Sequence, residues 1–185
     1  RRLMEGTSIL LRAGLLMLAC LALPGCISTP APKYNPSVDN SSLVLKHRPV
    51  VDVGAFTAAP GVENRALSMR GSRLQGGSDG TYATYLRDAL IAELQVAGGP
   101  VAGSRSRIEG ELTRNTLNVA GIKVGKAEVA ARFVVRRDDQ IAYDRSFTAT
   151  HEWESSFIGA LAIQAGIDNY GTTVQKLIGQ LLADP

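Results

Sequence analysis

Two thiols, two imidazoles and one glycine-rich loop are the residues of this chain whose types and spacing could do chemistry. Cys26 stands apart by its context. It follows Leu23-Pro24-Gly25 at the end of Ala13–Leu23, an apolar run of 11 residues without a charge. Gly25 is the small residue that a secretory cleavage site requires, so Cys26 falls just after such a cut. Cys20 is a weaker rival, with Met17 in the Leu position and a shorter apolar run before it. His47 and His151 have no cysteine to complete a metal site of ordinary ligand count, so no metal is expected. His151 precedes Glu152 in a stretch that reads as a strand, where adjacent side chains point to opposite faces. The two therefore diverge and cannot share an acid–base task.

The loop Gly76-Gly77-Ser78-Asp79-Gly80 invites a phosphate-binding reading. It lacks the Gly-Lys-Ser/Thr that would follow, and no convincing β-α-β unit surrounds it. A flexible loop that runs into a helix, with Ser78 or Asp79 as N-cap, fits better. No Ser/His/Asp set can be picked out from the many serines, and no carboxylate spacing singles out a pair. The chain is expected to have no catalytic residues and no bound cofactor.

The residues before Cys26 have the layout of a secretory signal. Arg1, Arg2 and Arg12 supply a positive segment, and the apolar run is too short for a spanning helix, which needs roughly 20 residues. Leu23, Gly25 and Cys26 resemble the lipobox of bacterial lipoproteins, with Pro24 as the one departure from its pattern. That resemblance implies removal of residues 1–25 and a covalent diacylglycerol and N-acyl lipid on Cys26. Asp after the lipidated cysteine is the usual inner-membrane signal in such proteins; here the position holds Ile27. The resemblance thus implies the outer membrane, with the domain on its periplasmic face. A single acyl chain binds a membrane only marginally. The three implied chains suffice as an anchor.

Removing residues 1–25 takes away Arg1, Arg2, Arg12 and Glu5, which leaves 160 residues with 17 Lys+Arg against 16 Asp+Glu. The basicity of the whole chain belongs largely to the signal, so nucleic acid is not an expected partner. With Cys20 removed and Cys26 acylated, no disulfide is available, and the domain must be stable through burial.

From Ile27 to Lys46 the chain is rich in Ser, Pro and Asn, with Pro30, Pro32 and Pro36. Residues 26–46 therefore read as a lipidated N-terminus and disordered tether, able to hold a domain of residues 47–185 tens of ångströms from the bilayer. Arg48 to Phe56 reads as a first strand and Ala66 to Leu74 as a second short one. Tyr82, Leu86, Leu90, Leu94 and Ala97 follow helical spacing, and Gly98-Gly99-Pro100 stops that helix. Three strands come next, from Ser106 to Leu117, from Lys126 to Arg136 and from Ile141 to Trp153. In the middle one Ala127, Val129, Ala131, Phe133 and Val135 share a face opposite Lys126, Glu128, Arg132 and Arg136. That alternation marks an antiparallel sheet covered on one side. Ile141, Tyr143, Phe147, Ala149 and Trp153 are expected on the inner face of the last strand, after a turn at Asp138-Asp139. The last helix carries Ile163, Ile167, Tyr170, Val174, Leu177 and Leu181 on one stripe. The expected fold is α+β: an antiparallel sheet of about four strands with two helices on one face, in the order β-α-β-β-β-α.

Phe157-Ile158-Gly159-Ala160-Leu161 is an apolar run without clear periodicity. It fits a buried segment, or an exposed contact in which Phe157, Ile158 and Leu161 meet a partner. Together with Leu86–Leu94, Lys126–Val135, Phe147–Trp153 and the lipobox, the run Ser156-Phe157-Ile158-Gly159-Ala160 is similar to the small Gram-negative envelope lipoproteins of the YajG type. The resemblance covers roughly residues 81–183 and implies an address and a fold, since that group largely lacks an assigned activity. The auxiliary lipoproteins of ABC-type lipid-transport systems share a similar order of elements. The expected function is a non-enzymatic interaction or envelope-maintenance module with an envelope protein partner; the alternative is an accessory subunit of a lipid-transport complex.

Overall fold

A computed structural model describes residues 28–185. The expected signal segment, with Leu23, Pro24 and Gly25, and Cys26, the expected lipid acceptor, lie outside the described residues. The described fold is α+β, built on two sheets. Strands β2 (Asp52–Ala58), β5 (Ser106–Asn118), β6 (Val124–Arg137) and β7 (Gln140–Glu154) form a four-stranded sheet in the order β2-β5-β6-β7. Strands β1 (Ser28–Pro30), β3 (Ala66–Met69) and β4 (Ser72–Gln75) form a smaller sheet in the order β1-β4-β3.

The meander β5-β6-β7 is antiparallel, as its alternation requires, and Asp138 and Asp139 close its second turn with φ of 49° and 65°. Two consecutive left-handed residues match the twist of the strands they join. The first strand departs from the expected antiparallel order, because β2 lies parallel to β5. Parallel neighbours need a long crossover. The chain makes one through the β3–β4 hairpin and helix α2 (Tyr82–Leu94).

Helices α2 and α3 (Gly159–Ala183) cover one face of the large sheet, α2 against β2 and β5, α3 across β6 and β7. Between helices and sheet lie Leu86, Leu90, Leu112, Ala127, Val129, Ala131, Phe133, Val174 and Leu177, all nearly inaccessible. Phe133 stacks edge-on against Phe56, and Tyr82, Tyr85 and Tyr170 form an aromatic group between the helices.

The expected tether departs further. From Ser28 onward the chain is folded: β1 pairs with β4, Tyr34 is buried, and Val38–His47 forms a third helix, α1, packed on α2 and α3. Ser37 caps α1 by accepting from the Asn40 amide. The helix is mostly polar, but its few inward residues, Val44 and Asn40, are fully used. Two smaller corrections share a physical cause in local backbone geometry. The stretch 66–74 turns at Arg70-Gly71, both with positive φ, and makes a hairpin of two strands. A bulge where Val135 pairs Tyr143 but Arg136 pairs Ile141 reverses the alternation, so Ile141 faces solvent.

Candidate functional site

The loop between β5 and β6 and the loop between β7 and α3 meet at one end of the large sheet. Both are held by Arg70, from the turn of the β3–β4 hairpin. Its Nε donates to the Val119 carbonyl at 2.6 Å and its Nη1 to that of Phe157 at 3.2 Å. Its Nη2 reaches the carbonyls of Gly121 at 3.0 Å, Ser156 at 2.9 Å and Ala120 at 3.4 Å. The guanidinium thus ties two loops together entirely through their backbones. The Ser155 amide adds a direct link to the Lys123 carbonyl at 2.9 Å.

Arg70 takes backbone carbonyls of these loops, and several of their side chains face outward, while Val119 is buried. Phe157 is 76% exposed and Leu161 57%, with Ile158 half-exposed between them. The sequence left this run open between burial and contact; the structure places it at the surface. It brings to the same end two residues that the sequence reading missed, Ile122 and Val124, at 67% and 51% exposure. Their signal was available: an Ile-Lys-Val triplet between Gly121 and Gly125, where a turn would ordinarily be polar. Behind them Trp153 lies across Gly125, where an added Cβ would fall 2.4 Å from the indole Nε1.

A second polar centre lies inside the molecule. Glu93 of α2 is fully buried. Its Oε1 accepts from the Tyr34 hydroxyl at 2.5 Å, the Asn40 Nδ2 at 2.9 Å and the Ser37 amide at 3.0 Å. Asn40 also donates to the Gln175 carbonyl of α3 at 3.0 Å. Burial, aided by the Glu93 carboxylate, pushes the Tyr34 phenol far above its ordinary pKa. The cluster docks the segment 34–47 onto both long helices. Beside it a groove of about 680 Å³, lined by Pro30, Ala31, Tyr34, Tyr85, Ile91 and Ala92, opens between the N-terminal segment and α2.

The other candidate residues take structural places. His151 sits on the helix-covered face of β7 and Glu152 on the opposite face, where it pairs with Lys126 at 3.1 Å. His151 Nε2 lies 2.9 Å from Asn169 Oδ1, and Lys176 Nζ lies 2.8 Å from its Nδ1. An ammonium can only donate, so Nδ1 accepts and Nε2 carries the proton. The glycine loop precedes a helix, but Gly76, Gly77 and Gly80 donate to the carbonyls of Arg65, Thr81 and Gly77. The N-cap is Thr81, not Ser78 or Asp79. Asp79 instead accepts from the Thr84 and Thr81 hydroxyls and the Thr81 amide, each at 2.8 Å, which holds its carboxyl below the usual range. Its negative charge occupies the place an anion would need. Among the described residues no group of three or more His, Cys, Asp or Glu is arranged to hold a metal ion, and no helix is long and apolar enough to cross a membrane.

No family model matches the sequence, and no curated protein matches it. Solved structures do. A Xanthomonas campestris protein of the DUF330 family superposes with a TM-score of 0.56 at 16% identity, over 84% of this chain and 94% of its own. The likeness is one of fold. A Caulobacter crescentus protein provisionally named a lipoprotein gives a TM-score of 0.44 at 13% identity, over 78% and 92% of the two chains. A minor lipoprotein of Acinetobacter baumannii gives 0.40 at 11%, over 72% and 90%.

Proposed function

We propose that the protein is a lipoprotein of the outer membrane, held on the periplasmic face by acyl chains on Cys26, whose domain works by binding and not by catalysis. The observation that carries this reading is the apolar end. Phe157 and Ile158 stand in water on a loop that Arg70 fixes through its backbone, and Leu161 stands exposed in the first turn of α3 that follows. Large apolar side chains clustered on a rigid support are the signature of a contact surface. The polar residues best suited to acid–base work, His151 and Glu93, are engaged in bonds that hold elements together. The lipobox supports the anchor, and no disulfide or metal is needed for a core of this size. The test is fractionation of Cys26→Ser: the variant should leave the membrane, and its retention there would overturn the reading.

A second reading, the accessory subunit of a lipid-transport complex, is favoured by the groove beside Tyr34. Its volume, about 680 Å³, is within the range of small-ligand sites, and its lining is mostly apolar. Phospholipid extracted from the purified protein in stoichiometric amount would support it; a lipid-free protein would remove it.

A further inference from the structure

We infer that Ile122, Val124, Phe157, Ile158 and Leu161 form the face by which the domain rests in the same lipid surface that receives its acyl chains. The inference rests on the lipidation of Cys26 proposed above. It follows from where the chain leaves the fold. Strand β1 runs parallel to β4, with Ser28 opposite Arg73, so Ser28 is the end of β1 on the side of the Arg70-Gly71 turn. Only Ile27 separates Ser28 from Cys26, and two residue steps span at most about 7 Å. Arg70, at that turn, is the residue that grips the loops carrying Phe157 and Ile122. The acylated cysteine and the exposed apolar side chains therefore belong to one end of the molecule.

A domain joined to its lipids by so short a link cannot stand off from the bilayer. It must present this end to the headgroups. The exposed residues suit that position: a large aromatic and four aliphatic side chains, with the cationic Lys123 between Ile122 and Val124 and Arg73 opposite Ser28. Glu154, beside Val124 across the β6–β7 pair, is the opposing carboxylate. Arg70 takes no part in headgroup binding, because its donors already point at carbonyls. The far end of the sheet also exposes Val50, Val101 and Ile141, but the ion pair Arg105–Asp138 and the charges of Arg137 and Asp139 are set among them. Three acyl chains already secure the protein to a membrane. The apolar end adds orientation: it holds α1 and the groove at a defined tilt to the surface.

The test places an environment-sensitive fluorophore on the acylated full-length protein in vesicles of phosphatidylethanolamine and phosphatidylglycerol. Single labels go on Phe157→Cys and, at the far end, on Gln140→Cys, with circular dichroism to check the fold. Leu161→Cys repeats the first position should Phe157→Cys misfold. The expected result is a blue-shifted emission at 157, lost on adding nitroxide-bearing lipid, and no change at 140. If mass spectrometry finds the acyl chains while both probes stay in water, this inference is overturned and the anchor stands. If the acyl chains are absent from Cys26, both fall. A photocrosslinker at 157 that captures a protein and not lipid in intact envelopes also overturns the inference, since the face would then be a protein interface.

Discussion

Arg70 lies half-buried at the apolar end and donates to five backbone carbonyls, whereas Glu93 lies fully buried in α2 and accepts from two side chains and one backbone amide. Each collects chain segments distant in sequence around one charge. The difference is in what they ask of those segments. A cation bound to carbonyls accepts any side chain on the loops it holds, and leaves those side chains pointing away. A carboxylate bound to Tyr34 and Asn40 demands those two residues and brings their segment into the core. One arrangement frees a surface for contact; the other specifies a docked segment.

The largest effect expected from testing this contrast is alkaline unfolding. Burial raises the phenols of all five tyrosines, Tyr85 to about 12 and Tyr34, Tyr82, Tyr143 and Tyr170 beyond the ordinary range. A group with a raised folded pKa contributes stability that is whole below its unfolded value, about 10, and is lost as pH climbs through the folded one. Tyrosinate absorbance should therefore rise together with loss of circular dichroism. Ionisation of Tyr34 near pH 10 in a protein still folded would dissolve the buried side of the comparison.

Next in size is Glu93→Ala. It strips the acceptor from three buried donors and should cost about 3 kcal/mol in urea unfolding. Glu93→Gln keeps an oxygen at the same place and should cost clearly less. Equal losses would mean that packing, not acceptance, is the role of Glu93.

Arg70→Ala should cost less, about 2 kcal/mol, because water can serve the freed carbonyls in part. Its mark is local. Hydrogen exchange should quicken in residues 119–123 and 155–161 and leave β6 unchanged; uniform quickening would deny Arg70 its role as a clamp.

The smallest effect lies at acid pH. Hydrogen bonds from Thr84 and Thr81 to Asp79, from Arg105 to Asp138 and from Arg132 to Asp144 hold these carboxyls below the usual range. Their stabilisation is present above the unfolded pKa of about 4 and fades as pH falls through the lower folded values. All three are exposed and salt-screened. The acid-side drop in the urea midpoint should be slight and should shrink further in Asp79→Asn; an undiminished drop would assign the acid response to other groups.

The contrast also explains what the sequence disclosed. The alternation in β6 and the stripe on α3 were legible because each residue's environment follows from its neighbours' spacing. Ala127, Val129, Ala131 and Phe133 are all buried as the period required. Ile141 was not, because a bulge at Ala142 leaves no mark in composition. Helix α1 was hidden for another reason. Val38-Asp39-Asn40-Ser41-Ser42 is polar enough to pass for a tether, and what makes it part of the core lies far along the chain, in Glu93, 53 positions beyond Asn40, and in the Gln175 carbonyl. The apolar end was half legible: Phe157-Ile158 could be marked as unusual, but that Ile122 and Val124 join it depends on an arginine that reads backbone carbonyls and so has no sequence signature.

The parallel pairing of β1 with β4 has a mechanical consequence. A pull on the chain at Ser28 along the axis of β1 loads the Ser28–Pro30 pairing and the bond from the Ala31 amide to the Gln75 carbonyl in shear. Sheared strands part only when their bonds fail together, whereas peeled strands open one bond at a time. Tension applied at this end of the chain is thus borne first by the small sheet, with the four-stranded sheet out of the direct line of force.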